Sequence, residues 1–595
     1  MAAPLEKLNG EDAKIFNKLI EIATALSAEL NHNRLMEKIL SEAQGICMAD
    51  GGTLYLRTDD NKLKFSIMRT VSKGIAIGGE SGTEIPFPPL NLHDPETNNP
   101  NLNNVASYVA HTKKSVNIPD VYKTKDFDFS GTKEFDKGNG YRSKSFLTVP
   151  LVNHVGNTIG VMQLINAQDP ETNQIIPFST EIMPLIEALS SLAAVALEKQ
   201  ILLDAQRALL DSFIELVAGA IDAKSHYTGN HCQRVPVLAK MLAEAACDST
   251  EPIFKDFNLT EEEKYELHIG AWLHDCGKVT TPEYVVDKAT KLEAIYDRIH
   301  EIRMRFEVLK RDAAIECLEA LIKGEEDEAA LRKKLDERLK QLDNDFAFIA
   351  ETNIGGEFMS PEKVEKINKL AEVKWTRTLD DRIGISQDEL NRKNRNPKKE
   401  PPVEESLLSD RDEHIFLRTD AAKYGENNPH GFKLDVPEHE YNRGEIYNLC
   451  IPNGTLTKED YFKIKDHIMQ TIIMLEKLPF PKHLARAPEY ASGHHENMIN
   501  TGYPKKLGKG DMTIPARIMA IADIFEALTA ADRPYKKAKK LSESIKILSS
   551  MKKDQHIDPD IFELFLKSGV YKTYAEKFLK PEQIDGVDIS KYVDS

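Results

Sequence analysis

The chain has 595 residues, of which 41% are hydrophobic and 29% charged. Its 78 basic and 95 acidic residues give a net charge of −17, which argues against general nucleic-acid binding. No apolar run reaches the roughly 18 residues of a membrane-spanning helix. The first residues lack the basic and apolar regions of a secretory signal. Six cysteines without a CxxC pair favour the reducing cytoplasm.

The N-terminal part of the sequence predicts an α+β domain over residues 16–180, after a polar lead-in at residues 1–15. Apolar residues recur at helical spacing over residues 16–48. From Gly51 onward the pattern changes to short β-type runs joined by turn sequences. The strand-like runs are GGTLYLR, KLKFSIM, SFLTVPLVN and TIGVMQLINA.

Residues 178–224 have the pattern of one long helix, of which residues 181–224 connect two domains. Apolar residues follow one another at steps of three and four, from Ile182 to Ile221. A helix of this length between domains often pairs with its copy in a coiled coil. We therefore expect a homodimer, although the same pattern also fits a helix that packs on its own domains.

The remainder of the chain predicts an all-α domain, residues 225–292 and 447–595, interrupted by an insertion. The insertion, residues 293–446, is dense in charge, and opposite charges at i, i+4 predict a solvent-facing helical hairpin. The insertion could cap a pocket, add a dimer surface or recruit a partner, and its sequence does not choose among these roles.

Seven side chains of the all-α domain predict a binuclear metal site. Two vicinal pairs, LHD and GHH, supply four of them. Imidazoles suit Fe, Mn, Zn or Ni, and a carboxylate can bridge two ions. Asp523 lies in an otherwise apolar helix, where an unpaired carboxylate would be costly. The predicted ligands are His231, His274, Asp275, His467, His494, His495 and Asp523.

The sequences HDCGK, HHENMINTGYP and ADIFEALTAADRPYKK resemble the HD-GYP subgroup of the HD-domain metal-dependent phosphohydrolases. These helical bacterial enzymes hydrolyse cyclic di-GMP to pGpG or GMP. The resemblance implies that His231, His274, Asp275 and Asp523 hold one ion. Asp275 would bridge to a second ion held by His467, His494 and His495.

The resemblance also bears on the number and kind of metal ions. Some family members hold a third ion through a glutamate one turn before the first histidine. This chain has Tyr227 there, so we expect two divalent ions. Iron or manganese is favoured, while zinc, nickel and magnesium remain open.

Two ions would lower the pKa of a bridging water and clamp the phosphoryl oxygens. Asp275 and Lys278 are the expected catalytic residues, since Lys278 lies one helical turn beyond His274 and could stabilise or protonate the leaving group. By resemblance, the loop Gly502, Tyr503 and Pro504 shapes the substrate pocket. Arg533 and Lys536 are expected to grip phosphate.

The main departure from the family pattern is Ile499–Asn500, where Asp-Gly is usual. Asn tolerates the left-handed turn conformation, whereas Ile499 cannot replace a carboxylate. We therefore expect an active cyclic di-GMP phosphodiesterase and keep hydrolysis of cyclic GMP-AMP open. The alternatives are a weak or silent cyclic dinucleotide receptor and a general HD nucleotidase.

The N-terminal domain resembles a GAF domain, on the sequences GGTLYL, NIPDVY, FDFSG, GYRSKSFLTVPL and IGVMQLINA. GAF domains are sensors built from a sheet covered by helices, so we expect an unknown small ligand that regulates the phosphohydrolase through the connecting helix. Five residues are candidates for pocket or structural roles: Asn117, Asp120, Phe127, Asp128 and Arg142.

Overall fold

The computed structural model describes residues 10–29, 31–224, 231–425, 427–530 and 538–593. By its internal contacts the chain divides into two compact units, Met1–Leu210 and Asp211–Ser595. Tyr227, Arg533 and Lys536, which the sequence analysis singles out, lie outside the described residues.

The first unit is an antiparallel sheet with helices, as predicted. The strand order is β3-β2-β1-β7-β6-β5, and two short strands add to it, β4 beside β2 and β8 beside β7. In chain order its elements are α1 (Gly10–Ala28), α2 (His32–Cys47), β1 (Ala49–Arg57), β2 (Lys62–Thr70), β3 (Ile75–Gly78), β4 (Leu90–Asn91), α3 (Val105–Thr112), β5 (Val116–Ile118), α4 (Ser130–Asn139), β6 (Phe146–Val152), β7 (Thr158–Gln168), β8 (Ile175–Ile176) and the first part of α5 (Met183–Lys224).

Both faces of this sheet are covered. On one face, α2 and α5 enclose a core that includes Ile39, Leu54, Leu164 and Leu189. On the other face, α3 packs over Tyr55, Leu63 and Val161. Because the central strands are covered on both sides, every residue of β1 from Ala49 to Tyr55 is buried, including the polar residues Asp50 and Thr53.

The connecting helix α5 runs without a break over 42 residues. In its first half Ile186, Leu189 and Leu197 are buried in the core of the first unit. Four other apolar residues of α5 are exposed at intervals of seven residues: Val195, Leu202, Leu209 and Leu216. A seven-residue apolar repeat is the pattern of a coiled-coil seam.

The second unit begins with the end of α5 and is helical over most of its length. After α5, the described helices that precede the insertion are α6 (His231–Cys247), α7 (Glu261–Leu273) and α8 (Glu283–Val286). The main core of the unit joins α6, α7 and the C-terminal helices around Leu238, Ile518, Phe525 and Phe565. Thr260 begins α7 with a capping box to Glu263.

The insertion starts with the predicted helical hairpin, α9 (Ile299–Lys323) and α10 (Glu328–Ile354). The second half of the insertion contains two antiparallel ribbons, which the sequence analysis did not predict. They are formed by β9 (Lys374–Arg377) with β10 (Val403–Ser406), and by β11 (Ile415–Leu417) with β12 (His439–Asn442). Two short helices, α11 (Pro361–Ala371) and α12 (Gln387–Lys393), complete it.

The remaining helices follow the insertion and carry most of the site. They are α13 (Glu445–Leu449), α14 (Lys458–Leu475), α15 (Ala487–Ser492), α16 (Ile514–Thr529), α17 (Leu541–Lys553), α18 (Pro559–Lys567) and α19 (Val570–Phe578). In the part of the chain that is described, no helix combines the length and apolar character needed to cross a membrane.

Candidate metal centre

Five separate segments of the second unit bring the seven predicted ligands together. His231 is the first residue of α6, and His274 and Asp275 follow α7. His467 lies in the middle of α14, whereas His494 and His495 follow α15. Asp523 projects from the centre of α16. The ligand atoms form two groups, each within 4.8 Å: His231, His274, Asp275 and Asp523 in one, and His467, His494 and His495 in the other.

The first group is arranged around two carboxylates. The Nε2 atom of His231 lies 3.3 Å from Asp275 Oδ2 and 3.1 Å from Asp523 Oδ1. The Nε2 atom of His274 lies 3.2 Å from the same Asp275 oxygen and 3.7 Å from Asp523 Oδ1. Two imidazoles and two carboxylates therefore point at one small volume.

Asp275 also reaches the second group. Its other oxygen, Oδ1, lies 3.5 Å from Nε2 of His467. In turn, Nε2 of His467 lies 3.1 Å from Nε2 of His495. Asp275 thus presents one oxygen to each group, which is the arrangement of a bridging carboxylate.

Three of the imidazoles are oriented by the carbonyl three residues earlier in the chain. Nδ1 of His274 donates to Ala271 O at 2.7 Å, Nδ1 of His467 to Ile464 O at 2.5 Å, and Nδ1 of His494 to Ala491 O at 2.8 Å. A carbonyl can only accept, so each ring carries a proton on Nδ1, and Nε2 is the atom left to bind a metal ion. Hydrogen bonds of this kind orient metal-binding histidines.

The charges of the site suit a divalent cation. Burial and the neighbouring His274 lower the pKa of His494 to about 4, and burial holds the pKa of His495 well below its usual value. Burial raises the pKa of Asp275, but Lys278 and His274 outweigh it, so that this pKa lies well below the ordinary range. His494 and His495 are thus neutral, which is the protonation state that metal binding requires. Burial lowers the pKa of His274, but Asp275 and Asp523 outweigh it and raise this pKa to about 9, so His274 gives up a proton when a metal ion binds.

Two buried nitrogen atoms without a hydrogen bond also suit a pair of metal ions. Nε2 of His274 and Nε2 of His494 are buried and make no hydrogen bond within the described residues. Leaving buried polar atoms unpaired costs about 1–3 kcal/mol each. A metal ion at each group would satisfy both atoms.

Glu526 is a site residue that the sequence analysis missed. It is buried on α16, three residues after Asp523, and accepts a hydrogen bond from Nδ1 of His231. Its second oxygen accepts from Nε of Arg234 at 2.7 Å. The sequence contained an indication of this role. Asp523 was predicted as a ligand because it is a carboxylate in an otherwise apolar helix, and Glu526 is a second carboxylate in the same helix.

Lys278, expected to be catalytic, lies at the edge of the site. Its ammonium group contacts Asp275 Oδ2 at 2.6 Å. Burial lowers the pKa of Lys278, but Asp275 and Asp523 more than offset this effect, and the net shift is upward. Lys278 is therefore held as a cation against the carboxylate that joins the two groups.

The GYP loop lies directly against the second group. The ring of Tyr503 stacks on His495 at a centroid distance of 4.7 Å and an angle of 17°. The ammonium of Lys465 lies 4.6 Å from the centre of the same tyrosine ring. A Cβ atom on Gly502 would lie 2.5 Å from the backbone of Glu496, so no side chain fits there.

The loop keeps its turn despite the substitution at residues 499 and 500. Asn500 adopts the left-handed conformation with φ of +63°, as predicted. The buried carboxylate of Glu496 accepts from the backbone N–H groups of Lys505 at 2.6 Å and Leu507 at 2.8 Å. Ile499 is half exposed at the surface of the loop.

The first unit contains a cavity of about 360 Å³ on the α3 side of its sheet. Its walls are aromatic on one side, with Phe65, Phe87 and Phe135, and include Gln163 and Asp128. Of the five candidate residues named for this domain, Asp128 lines the cavity. The other four have structural contacts: Asn117 with Phe178 O, Asp120 with Tyr122 N, Phe127 with Tyr108, and Arg142 with the Tyr122 ring.

Comparison with known proteins finds a GAF domain over residues 31–197 and an HD domain over residues 402–561. The HD match begins inside the insertion and leaves out His231, His274 and Asp275, which precede the insertion. A solved GAF domain of an Acinetobacter phosphoenolpyruvate-protein phosphotransferase covers 32% of this chain and 98% of its own, with 13% identity and a TM-score of 0.24.

Three curated relatives match shorter stretches. A cyclic di-GMP phosphodiesterase of Pseudomonas aeruginosa is 32% identical over 134 residues, or 21% of this chain. The 3'3'-cGAMP-specific phosphodiesterase 1 of Vibrio cholerae is 31% identical over 19% of the chain, and a cyclic di-GMP phosphodiesterase of Thermotoga maritima is 33% identical over 22%. These matches span 31%, 26% and 35% of the respective relatives.

Proposed function

We propose that this chain, which combines a GAF domain with an HD domain, is a metal-dependent phosphodiesterase that hydrolyses cyclic di-GMP to pGpG or GMP. The observation that carries the proposal is the pair of ligand groups that share Asp275. The names of the relatives support a cyclic dinucleotide as substrate.

In this proposal His231, His274, Asp275 and Asp523 hold one divalent ion, and Asp275 with the three remaining histidines holds the other. Two such ions lower the pKa of water and neutralise charge on a phosphoryl group. Iron or manganese remains the favoured metal, because imidazole and carboxylate ligands suit both.

The side chains around the ions have separate tasks in the proposed reaction. Glu526 fixes the orientation of the His231 ring, and Lys278 keeps Asp275 ionised and adds positive charge where the leaving oxygen becomes negative. Lys465, beside Tyr503, offers a second cation to the phosphates of the substrate. Arg533 and Lys536 stay sequence-based candidates for the same task.

The experiment uses the full chain loaded with Fe(II) or Mn(II) under anaerobic conditions. Cyclic di-GMP, cyclic GMP-AMP and a nucleoside monophosphate are offered in parallel, and products are separated by chromatography. Formation of pGpG or GMP from cyclic di-GMP supports the proposal. Faster turnover of cyclic GMP-AMP would assign that substrate instead, consistent with the relatives named for it.

The same experiment separates the remaining alternatives. Cyclic di-GMP that binds without being hydrolysed would identify a silent receptor. Hydrolysis of the monophosphate alone would identify a general nucleotidase.

The six cysteines form no disulfide, which supports our proposal of a cytoplasmic protein.

We further propose that α5 forms a parallel homodimer through Val195, Leu202, Leu209 and Leu216. Burying a seven-residue repeat of exposed apolar side chains against a second copy removes them from water. Leu209→Glu should then shift the sedimenting species from dimer to monomer. Ile322→Glu, at a strongly exposed residue on α9, is the matched control and should leave the dimer intact.

The proposed regulation links the GAF cavity to the metal site through α5. Near the end of α5, Ile214 and Ile221 pack in one cluster with Leu273 and Cys276, which flank the His274–Asp275 pair. The ammonium of Lys224 donates to the carbonyl of Val279. A ligand in the GAF cavity that binds more tightly to one packing arrangement of α5 than to another would favour that arrangement. It would thereby change the activity of the metal site.

A further inference from the structure

One segment of the insertion packs along the helix that carries His467. We call residues 418–425 and 427–437 the strap. Tyr424 and Phe432 of the strap are buried in one cluster with Phe462, Met469 and Ile472 of α14. The guanidinium of Arg418 lies 4.6 Å from the centre of the Phe462 ring.

Polar contacts fix the strap to α14 beside the metal centre. The Tyr424 hydroxyl donates to Asp466 Oδ1 at 2.8 Å, and Nε2 of Gln470 donates to the same oxygen at 3.0 Å. Asp466 is buried and directly precedes His467. Toward the end of α14, His430 pairs with Glu476 at 2.6 Å.

The strap also holds the GYP loop. The backbone N–H of Lys433 donates to the carbonyl of Pro504 at 2.7 Å. Pro504 follows Tyr503, whose ring stacks on His495. The strap therefore contacts both α14, which carries His467, and the GYP loop, which covers His495.

We propose that the strap is a positioning element of the catalytic site, with Tyr424 as a positioning residue for His467. The proposal rests on the metal site of the proposed function. Metal–ligand distances tolerate a deviation of only about 0.2 Å. A small displacement of α14 would therefore lower the affinity for the ion that His467 binds. The insertion would then be part of the enzyme's working structure, which its sequence alone did not decide.

The test compares two tyrosines that make the same kind of bond to α14. Tyr424→Phe removes the hydroxyl that reaches Asp466, beside His467. Tyr447→Phe removes the hydroxyl that donates to buried Glu459 at 2.9 Å, in the first turn of the helix. Both changes keep the ring and remove one short hydroxyl–carboxylate hydrogen bond. Tyr424→Phe also removes two longer contacts of 3.4 Å, with Asp420 Oδ2 and Gln470 Nε2, so its thermal unfolding midpoint should fall at least as far as that of Tyr447→Phe.

The decisive readout is the affinity of each of two Mn(II) equivalents, measured by titration of the full chain. We expect Tyr424→Phe to lower the affinity for one of the two Mn(II) ions about tenfold, because loss of a residue that supports a metal ligand commonly has an effect of this size. Tyr447→Phe should leave both affinities close to wild type. Hydrogen exchange of residues 464–470 should rise in Tyr424→Phe alone.

Equal metal affinities in the wild type and Tyr424→Phe would overturn the proposal. So would an equal loss in both variants, because Tyr424 would then act through stability alone. A wild-type chain that binds no metal would instead refute the proposed function on which this inference rests. The three results are distinguishable in one series of titrations.

Discussion

Gly277 is the point of closest approach between the His274–Asp275 turn and α14. A Cβ atom at this position would lie 2.5 Å from Thr471 N and closer still to the carbonyl oxygen of His467. The backbone N–H of Gly277 also donates to Thr471 Oγ1 at 2.9 Å. Gly277→Ala therefore forces the turn and the helix apart.

The size of the displacement follows from the contact distances. Ordinary contacts of a Cβ begin at 3.4 Å, so 3.4 − 2.5 gives a separation of at least 0.9 Å that has to be created. Overpacking of this kind costs about 1–3 kcal/mol of stability. A shift near 1 Å exceeds the tolerance of a metal ligand, and such misplacement can lower a rate by about 100-fold.

The assay measures bound Mn(II) per chain, turnover of cyclic di-GMP and the urea unfolding midpoint for Gly277→Ala. We expect loss of metal from the group of His467 and at least about 100-fold slower turnover. Gly510→Ala is the matched control, since its Cβ would meet nothing within 4 Å. Full metal content and wild-type turnover in Gly277→Ala would refute the close approach of the two segments.

Three further predictions concern the surroundings of the site and the insertion. Glu526→Gln should weaken metal binding about 10–100-fold in competition with a chelator, because His231 and Arg234 lose a charged acceptor; an unchanged affinity would contradict this role. Lys465→Gln should raise KM for cyclic di-GMP more than it lowers kcat, and the reverse split would argue against phosphate binding. Burial lowers the pKa of His414 to about 4, so stability falls as the pH drops below about 6.5 and the unfolded chain takes up the proton. His414→Gln should remove about 2 kcal/mol of the stability lost between pH 7 and pH 5 in urea unfolding, and an identical pH dependence would refute the shift.

The sequence predicted which side chains come together better than it predicted the groups that support them. His–Asp and His–His pairs and a carboxylate in an apolar helix carry chemistry that residue type alone reveals, and all seven side chains converge. Glu526 carried the same kind of signal as Asp523, a carboxylate in an apolar helix, but the resemblance implied a ligand role for Asp523 alone. The carbonyl contacts that orient His274, His467 and His494 depend on backbone geometry, which residue type does not encode.

For the fold too, elements defined by their own residues were predicted from the sequence, whereas a pairing between distant segments was not. Strands β1, β2, β6 and β7 follow from their own apolar runs, and α5 from its repeat. The ribbon of β9 and β10 was missed because its strands are four residues long and 25 residues apart in the chain. A contact between Arg377 and Glu405, at 2.6 Å, links the two strands, and its partners are 28 residues apart in the chain.

The most direct test of the account compares the wild type with Asp275→Ala in one anaerobic preparation each. Metal content and the products from cyclic di-GMP are measured on the same samples. We predict two divalent ions per chain and release of pGpG or GMP for the wild type. Asp275→Ala should lose both together, because Asp275 contacts both ligand groups. Continued hydrolysis by Asp275→Ala, or a wild type that hydrolyses cyclic di-GMP without binding metal, would contradict the central claim.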